Sequence, residues 1–133
     1  MQRWVLLRHV LPDGPAHLDW LLEPPAVLGE AGGAGGAGSE GLMSFRLADG
    51  TDPLVASGFV AERIADHRRE YLEYEGPVSG GRGEVCRVAE GECSTRLIDG
   101  SLWLELAGSD RVLVGTPGGQ QKALWRFELA HPA

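Results

Sequence analysis

Two histidines and an aspartate near the start of the sequence have the types and spacing of a metal site. One residue separates His17 from Asp19, and residues two apart on a strand project to the same side. His9 joins them if the segments on either side of the intervening turn pair as a hairpin. Three protein ligands with open positions are typical of a catalytic metal site, and this mixed nitrogen and oxygen set suits manganese or zinc. The spacing alone is equally compatible with polar residues on the exposed face of a hairpin.

A second group of candidates follows in the middle of the chain. His67 and Tyr71 are possible proton donors, and three arginines are possible phosphate ligands: Arg68, Arg69 and Arg82. These are the groups that phosphoryl chemistry requires beside a metal. The glycines around Arg82 lack the Lys-Ser/Thr ending of a nucleoside-triphosphate loop. The alternative interpretation is a solvated charged turn followed by a glycine-rich hairpin.

The elements that must position these residues are predicted to be short strands. Residues 4–10 and 17–23 form the predicted hairpin, closed by a turn at 12–15, with Leu18, Trp20 and Leu22 on the face opposite His17 and Asp19. Residues 55–74 fit either one helical face or a strand. Further strands are predicted at 42–47, 84–88, 101–106, 111–114 and 123–129. Six to eight short strands predict a mostly β protein, either a barrel or a sandwich.

Length and charge limit the possible functions. A chain of 133 residues, 43% of them hydrophobic, is the size of a single domain with a real core. Nineteen acidic against twelve basic residues give a net charge of −7, which disfavours broad, sequence-independent nucleic-acid binding but leaves room for a small basic pocket.

Three further features of the sequence concern localisation, the cysteines and a low-complexity stretch. The first ten residues resemble neither a membrane anchor nor a signal peptide, so we expect a cytoplasmic protein that does not bind membranes. Cys86 and Cys93 are expected to be small buried hydrophobic residues. The Gly/Ala-rich stretch at about 29–41 is expected to be a flexible surface loop.

The motifs resemble those of the 3'-phosphoesterase domain of bacterial DNA ligase D, which also occurs as short stand-alone proteins. That family has a strand ending in Lys-His and then His-x-Asp-Phe-x-Leu-Glu, where this chain has Arg8-His9 and the sequence HLDWLLE at 17–23. The family's Asp-His, with a tyrosine four residues later, is similar to Asp66-His67 and Tyr71. The sequences EYEG at 73–76, GGRGEV at 80–85 and WRF at 125–127 extend the resemblance over most of the chain.

The resemblance implies a compact β-barrel with long loops whose groove holds a divalent metal, usually manganese. It implies an enzyme that removes a 3'-terminal phosphate or ribonucleotide from DNA or primer ends during repair, as a monomer or beside a repair ligase. By position, His9, His17 and Asp19 would be the metal ligands, with His67 on the scissile phosphate and Tyr71 beside it. It also implies that the chain around His67 is extended.

Three positions depart from the family pattern. Leu21 and Phe59 stand where the family has arginines, and Ala65 stands where it has a glutamate. Arg63, Arg69 or Arg82 are candidates to replace the lost charge. The departures leave two alternatives open: a catalytically impaired module that binds a nucleic-acid end or partner, and an esterase for a small phosphorylated metabolite.

Overall fold

The chain folds almost entirely into β-strands. The computed structural model describes residues 1–27, 41–118 and 123–130, and within these it contains ten strands, one short 3-10 helix and no α-helix. The strands are β1 Gln2–Val10, β2 Ala16–Leu22, β3 Ala26–Val27, β4 Leu42–Ala48, β5 Gly58–His67, β6 Gly76–Pro77, β7 Glu84–Ile98, β8 Ser101–Leu106, β9 Val112–Pro117 and β10 Leu124–Leu129. The mostly β class is therefore confirmed. The predicted Gly/Ala-rich loop lies outside the described residues, apart from Gly41.

Eight of the strands pair in a closed ring. Their order is β1-β2-β4-β5-β10-β9-β8-β7, and β7 pairs again with β1. Every pairing in the ring is antiparallel, whereas the short β3 runs parallel to β7. Each of the eight strands therefore has a hydrogen-bonded neighbour on both sides. A closed ring avoids the fully unpaired edge strands that can pair with other chains and cause aggregation.

The main core consists of side chains from one face of each strand in the ring. Trp20, Phe45 and Phe127 are fully buried, and Phe59 stacks on Phe127 with their ring centroids 5.3 Å apart. The edge-to-face contacts of Trp20 and Phe45 with Phe127 have centroid separations of 5.5 and 5.1 Å. Leu18 and Leu22 join this core, as the alternation of β2 predicts.

A second core lies on the opposite face of β1, β2 and β4. Residues 68–83, which we call the cover segment, pack over this face and include the 3-10 helix Arg69–Leu72. Leu72 is buried there, and so is Leu21 of β2. The remaining buried members are Val5, Leu7, Leu42 and Val85. Strand β2 is thus buried on both faces from Leu18 to Leu22, with Leu18, Trp20 and Leu22 in the main core and Asp19 and Leu21 on the opposite face.

The structure resolves one ambiguous prediction about the middle of the chain and corrects the length of one predicted strand. β5 is extended up to His67, which settles the ambiguity of residues 55–74 for the strand and leaves only the short 3-10 helix beyond it. β7 continues ten residues past the predicted end at Val88. Its second half pairs with β1 and with β8. Gly91 lies within this half and packs closely on Trp4, where a Cβ would lie 3.0 Å from Nε1.

The two cysteines differ. Cys93 is buried in the main core, as expected, and burial raises the pKa of its thiol to about 12. The prediction for Cys86 was wrong: this residue is exposed, because it sits on the opposite face of β7 from the buried Val85.

Within the described part of the chain, no helix has the length and apolarity that a membrane crossing requires.

Candidate functional site

The turn between β1 and β2 determines which residues meet at the site. Residues 11–15 form this turn, with Leu11 N–H donating to the Pro15 carbonyl at 2.8 Å and Gly14 N–H donating to the Leu11 carbonyl at 3.0 Å. The resulting register places His9 directly opposite His17. Because side chains two apart share a face, Asp19 lies on the same side of the hairpin. The hairpin predicted from the sequence therefore forms and brings the three residues together.

The three side chains converge on one small volume. Their ligand atoms all lie within 4.8 Å of one another. His9 Nδ1 is 3.6 Å from Asp19 Oδ2, and His17 Nε2 is 3.2 Å from Asp19 Oδ1. Asp19 is only 3% exposed, so these are not polar residues on a wet face. The alternative interpretation of the His-x-Asp spacing is thus excluded by burial.

Two of these atoms are buried and lack a hydrogen-bond partner. They are His17 Nε2 and Asp19 Oδ1. A buried polar atom without a partner costs free energy, and such atoms in native proteins call for an explanation such as a bound ion or water. A cation bound by both atoms would remove the penalty. The donor set of two imidazole nitrogens and a carboxylate therefore fits a divalent metal such as manganese or zinc.

A backbone carbonyl of the cover segment orients His9. His9 Nε2 lies 2.7 Å from the carbonyl oxygen of Arg82, which can only accept a hydrogen bond. Nε2 therefore carries a proton, and Nδ1 is the nitrogen that faces Asp19 and would bind an ion. An outer hydrogen bond of this kind is typical of metal-ligating histidines.

Electrostatics keep His17 ready to bind a cation. Burial lowers the pKa of His17 and outweighs the opposing effect of Asp19, while the positive charge of Arg46 lowers it further. A lower pKa means that His17 is neutral at pH 7, and only the neutral ring has a lone pair to give to a metal.

A buried serine fixes the orientation of His67. Ser44 Oγ donates to the Leu42 carbonyl at 2.8 Å and lies 2.9 Å from His67 Nδ1. Because the single hydroxyl proton goes to Leu42, Nδ1 must be the donor to Ser44. His67 Nε2 is then the nitrogen that faces the site, 3.9 Å from Asp19 Oδ2. A group bound there can exchange a proton with this nitrogen.

These groups line one cavity of about 770 Å³. Tyr71 stands edge-to-face against His67, with the ring centroids 5.5 Å apart, and contributes to the cavity wall. The size is within the range of about 300–1,000 Å³ common for small-ligand sites. The two groups of candidates from the sequence, the metal ligands and the His67–Tyr71 pair, therefore share one site.

Two of the three predicted phosphate-binding arginines line the cavity, and the third does not. Arg68 and Arg82 line the cavity, although Arg82 Nε donates to the Ser79 carbonyl at 2.7 Å. Arg69 is not among the lining residues, because its guanidinium pairs with Glu23. Arg63 is likewise outside the lining and pairs with Asp66 at 3.0 Å.

The three departures from the family pattern occupy different places. Ala65 lines the cavity, so the missing glutamate is missing from the site itself. Leu21 is fully buried in the second core, and Phe59 is buried in the main core. An arginine at residue 21 or 59 would replace an apolar core side chain, so restoring the family residue there would bury a charge.

Two residues of the site were missed from the sequence: Arg46, which lines the cavity, and Ser44, which lies beside His67. Both belong to β4 and lie on the face that carries the site, since Arg46 is paired with Asp19 across the sheet. The signal was present: Ser44 and Arg46 are polar residues two apart within the otherwise apolar strand Leu42–Ala48. Alternation by two predicts that they face away from Phe45 and Leu47.

Gly83 links the cover segment to the metal ligands, and its replacement by alanine should weaken metal binding. Gly83 has a φ of +97°, and a Cβ there would come 2.0 Å from the Val10 carbonyl oxygen. The backbone must shift, which moves the Arg82 carbonyl away from His9. We expect the affinity for manganese, measured by calorimetry, to fall about 10–100-fold, as for loss of other outer hydrogen bonds.

The matched control is Gly81→Ala. Gly81 also has a positive φ, +66°, but a Cβ there meets nothing within 4 Å. Both variants therefore incur the cost of a left-handed alanine, about 1 kcal/mol, and only Gly83→Ala has the clash. Equal manganese affinity in the two variants would show that the Arg82 carbonyl does not support the site.

No protein-family model matches the sequence, and no curated protein matches it significantly. The geometry of the site therefore carries the functional argument.

Proposed function

We propose that this protein is a metal-dependent phosphoesterase that acts on a terminal phosphate or ribonucleotide at the 3'-end of DNA or of a primer. The proposal extends the motif resemblance to the 3'-phosphoesterase domain of DNA ligase D. It includes the finer points of that resemblance: a compact β-barrel with long loops, manganese as the metal with zinc as the alternative, and a monomer that works in the cytoplasm, alone or beside a repair ligase.

One observation carries the proposal. A buried carboxylate and two histidines converge within 4.8 Å, and two of their atoms are buried without partners. The same cavity contains His67, Tyr71 and three arginines. Metal ligands, a proton-exchanging imidazole and guanidinium groups together are the equipment of phosphoryl transfer.

Each side chain has a distinct role in this proposal. A divalent metal, when bound, supplies Lewis-acid polarisation of a phosphoryl oxygen. His9, His17 and Asp19 would hold it, and the Arg82 carbonyl orients His9. His67 exchanges a proton with the reacting phosphate group through Nε2, which is the nitrogen left to the cavity by Ser44.

The test uses a 3'-phosphate-ended primer on a template, incubated with the protein and manganese. We expect metal-dependent release of phosphate by the wild type. His17→Gln should lose both manganese binding and release, whereas His67→Gln should retain manganese binding and lose release. Absence of product from the wild type on phosphate and ribonucleotide ends alike would refute the proposal. Binding of such ends without turnover would indicate the impaired binding module instead.

A second candidate, an esterase for a small phosphorylated metabolite, is favoured by the charge of the protein. The net charge of −7 repels a long polyanion, whereas a small phosphate ester fits within a cavity of about 770 Å³. Turnover of small phosphodiesters compared with oligonucleotides separates the two candidates, since only the metabolite esterase should prefer the former.

A further inference from the structure

Arg46 differs from the other arginines of the described residues in having no partner. Each of the others makes an ion pair or a side-chain hydrogen bond, for example Arg8 with Asp49 at 2.9 Å and Arg82 with the Ser79 carbonyl at 2.7 Å. The guanidinium of Arg46 makes neither within the part of the chain that the structure describes. An arginine that is left without a protein partner beside a polar site is available to bind an anion.

The register of the sheet places this guanidinium at the metal ligands. Arg46 of β4 is directly opposite Asp19 of β2, so the two side chains share a face, and Arg46 lines the cavity. On its other side, Arg46 is opposite Glu62 of β5, yet no ion pair joins them.

Resting on the proposed function, we propose that Arg46 is the substrate-binding residue that contacts the phosphate group of the substrate. It takes over the charge that the family pattern would place at Leu21, from the neighbouring strand and on the same face of the sheet. Leu21 is then free to be apolar and to pack under Leu72 in the second core. The cavity thus contains a phosphate-binding guanidinium despite the departures in the sequence.

The charges of the cavity favour a terminal phosphate over an internal phosphodiester. Its lining contains three arginines, Arg46, Arg68 and Arg82, and three aspartates, Asp13, Asp19 and Asp66. These charges balance, so a bound divalent cation leaves an excess of two positive charges. A phosphomonoester carries about two negative charges near pH 7, and an internal diester carries one.

The experiment measures binding of inorganic phosphate to the manganese-loaded protein by calorimetry. Arg46→Gln removes the charge and the guanidinium and leaves a shorter, uncharged polar side chain. Because one hydrogen bond to a charged group is lost, we expect phosphate affinity to fall about 10–100-fold. Manganese affinity, titrated separately, should not fall. Arg46→Lys, which retains the charge but not the planar fork, should bind phosphate with intermediate affinity.

The matched control is Arg126→Gln on β10, where the arginine is exposed and lies 3.9 Å from Glu128. This variant should bind phosphate as the wild type does. Equal phosphate affinity in Arg46→Gln and the wild type, or no phosphate binding by the wild type, would overturn the assignment.

The same variants distinguish failure of this inference from failure of the proposed function. If the wild type releases no phosphate from 3'-ends but its phosphate binding depends on Arg46, the proposed function fails and the assignment stands. If the wild type is active and Arg46→Gln has an unchanged KM, the assignment fails and the proposed function stands.

Discussion

Replacement of Asp19 by asparagine should abolish tight binding of manganese and of zinc. The substitution preserves the shape of the side chain and removes the only carboxylate among the three converging ligands. Loss of an outer hydrogen bond to a metal ligand already costs about 10–100-fold in affinity, so loss of a charged ligand should cost at least about 100-fold. Calorimetric titration of each ion into the purified variant measures the effect.

The control for this prediction is Asp49→Asn. Asp49 is exposed, pairs with Arg8, and lies outside the cavity, so the same chemical change there should leave metal affinity unchanged. Wild-type affinity in Asp19→Asn would mean that the three residues do not form a metal centre.

Thermal melting provides a second readout of the same variant. A ligand at about 100 times its Kd stabilises a protein by about 2.7 kcal/mol, which raises Tm by several degrees for a chain of this size. Manganese should produce that rise in the wild type and none in Asp19→Asn. In the absence of metal, the variant should melt no lower than the wild type, because Asp19 Oδ1 is buried without a partner and a neutral amide costs less to bury than a carboxylate.

Replacement of Phe127 by alanine should cause the largest loss of stability. Phe127 is fully buried and contacts four aromatic rings, those of Trp20, Phe45, Phe59 and Trp125. Truncation of a buried phenylalanine costs about 3–5 kcal/mol through lost burial and the cavity that remains. We expect the free energy of unfolding to fall by that amount in urea denaturation, with Tm lower by on the order of 10 °C.

Leu124→Ala on the same strand is the control. Leu124 is 39% exposed, so its truncation should cost well under about 1 kcal/mol. If Phe127→Ala were no less stable than Leu124→Ala, the aromatic cluster would not be the centre of the core.

The metal side of the site could be predicted from local sequence, because a single turn creates it. His17 and Asp19 are two apart on one strand, and a short turn suffices to bring His9 opposite His17. Burial of Asp19 could not be predicted in this way. Asp19 is packed among neighbours from other strands, with His67 Nε2 of β5 3.9 Å from its Oδ2 and Arg46 of β4 opposite it in the sheet, and periodicity within one strand contains no information about such distant partners.

The opposite side of the site shows where prediction from residue type fails. Arg68, Arg69 and Arg82 were equivalent candidates in the sequence, but side-chain pairing separates them. Arg69 is engaged by Glu23, whose pKa is lowered because hydrogen bonds from Arg3 and Arg69 outweigh the effect of burial. Arg46 was overlooked because it is isolated in an apolar strand, and only the β2–β4 register shows that it faces Asp19.

The fold as a whole was predicted at the level of class and of most strands, because alternation and turn residues are local signals. The length of β7 was underestimated because a glycine such as Gly91 usually indicates the end of a strand. In the structure, Gly91 lies within β7 and leaves room for the Trp4 ring. The extended conformation of β5 could not be chosen from its own pattern. Pairing with β4 and β10 decides it.

Burial of β2 on both faces has a consequence for how the chain tolerates change. Along this strand, core residues alternate with residues of the site. Leu18 and Trp20 pack in the main core, whereas His17 and Asp19 line the cavity. An insertion or deletion of a single residue between Gly14 and His17 would exchange the two sets, aiming Trp20 at the cavity and Asp19 at the ring interior. A substitution at a single position of β2, in contrast, alters either the packing of the core or the binding site, and leaves the other unchanged. Sequence divergence that preserves this protein should therefore proceed through point changes there, with the number of residues in the β1–β2 connection held constant.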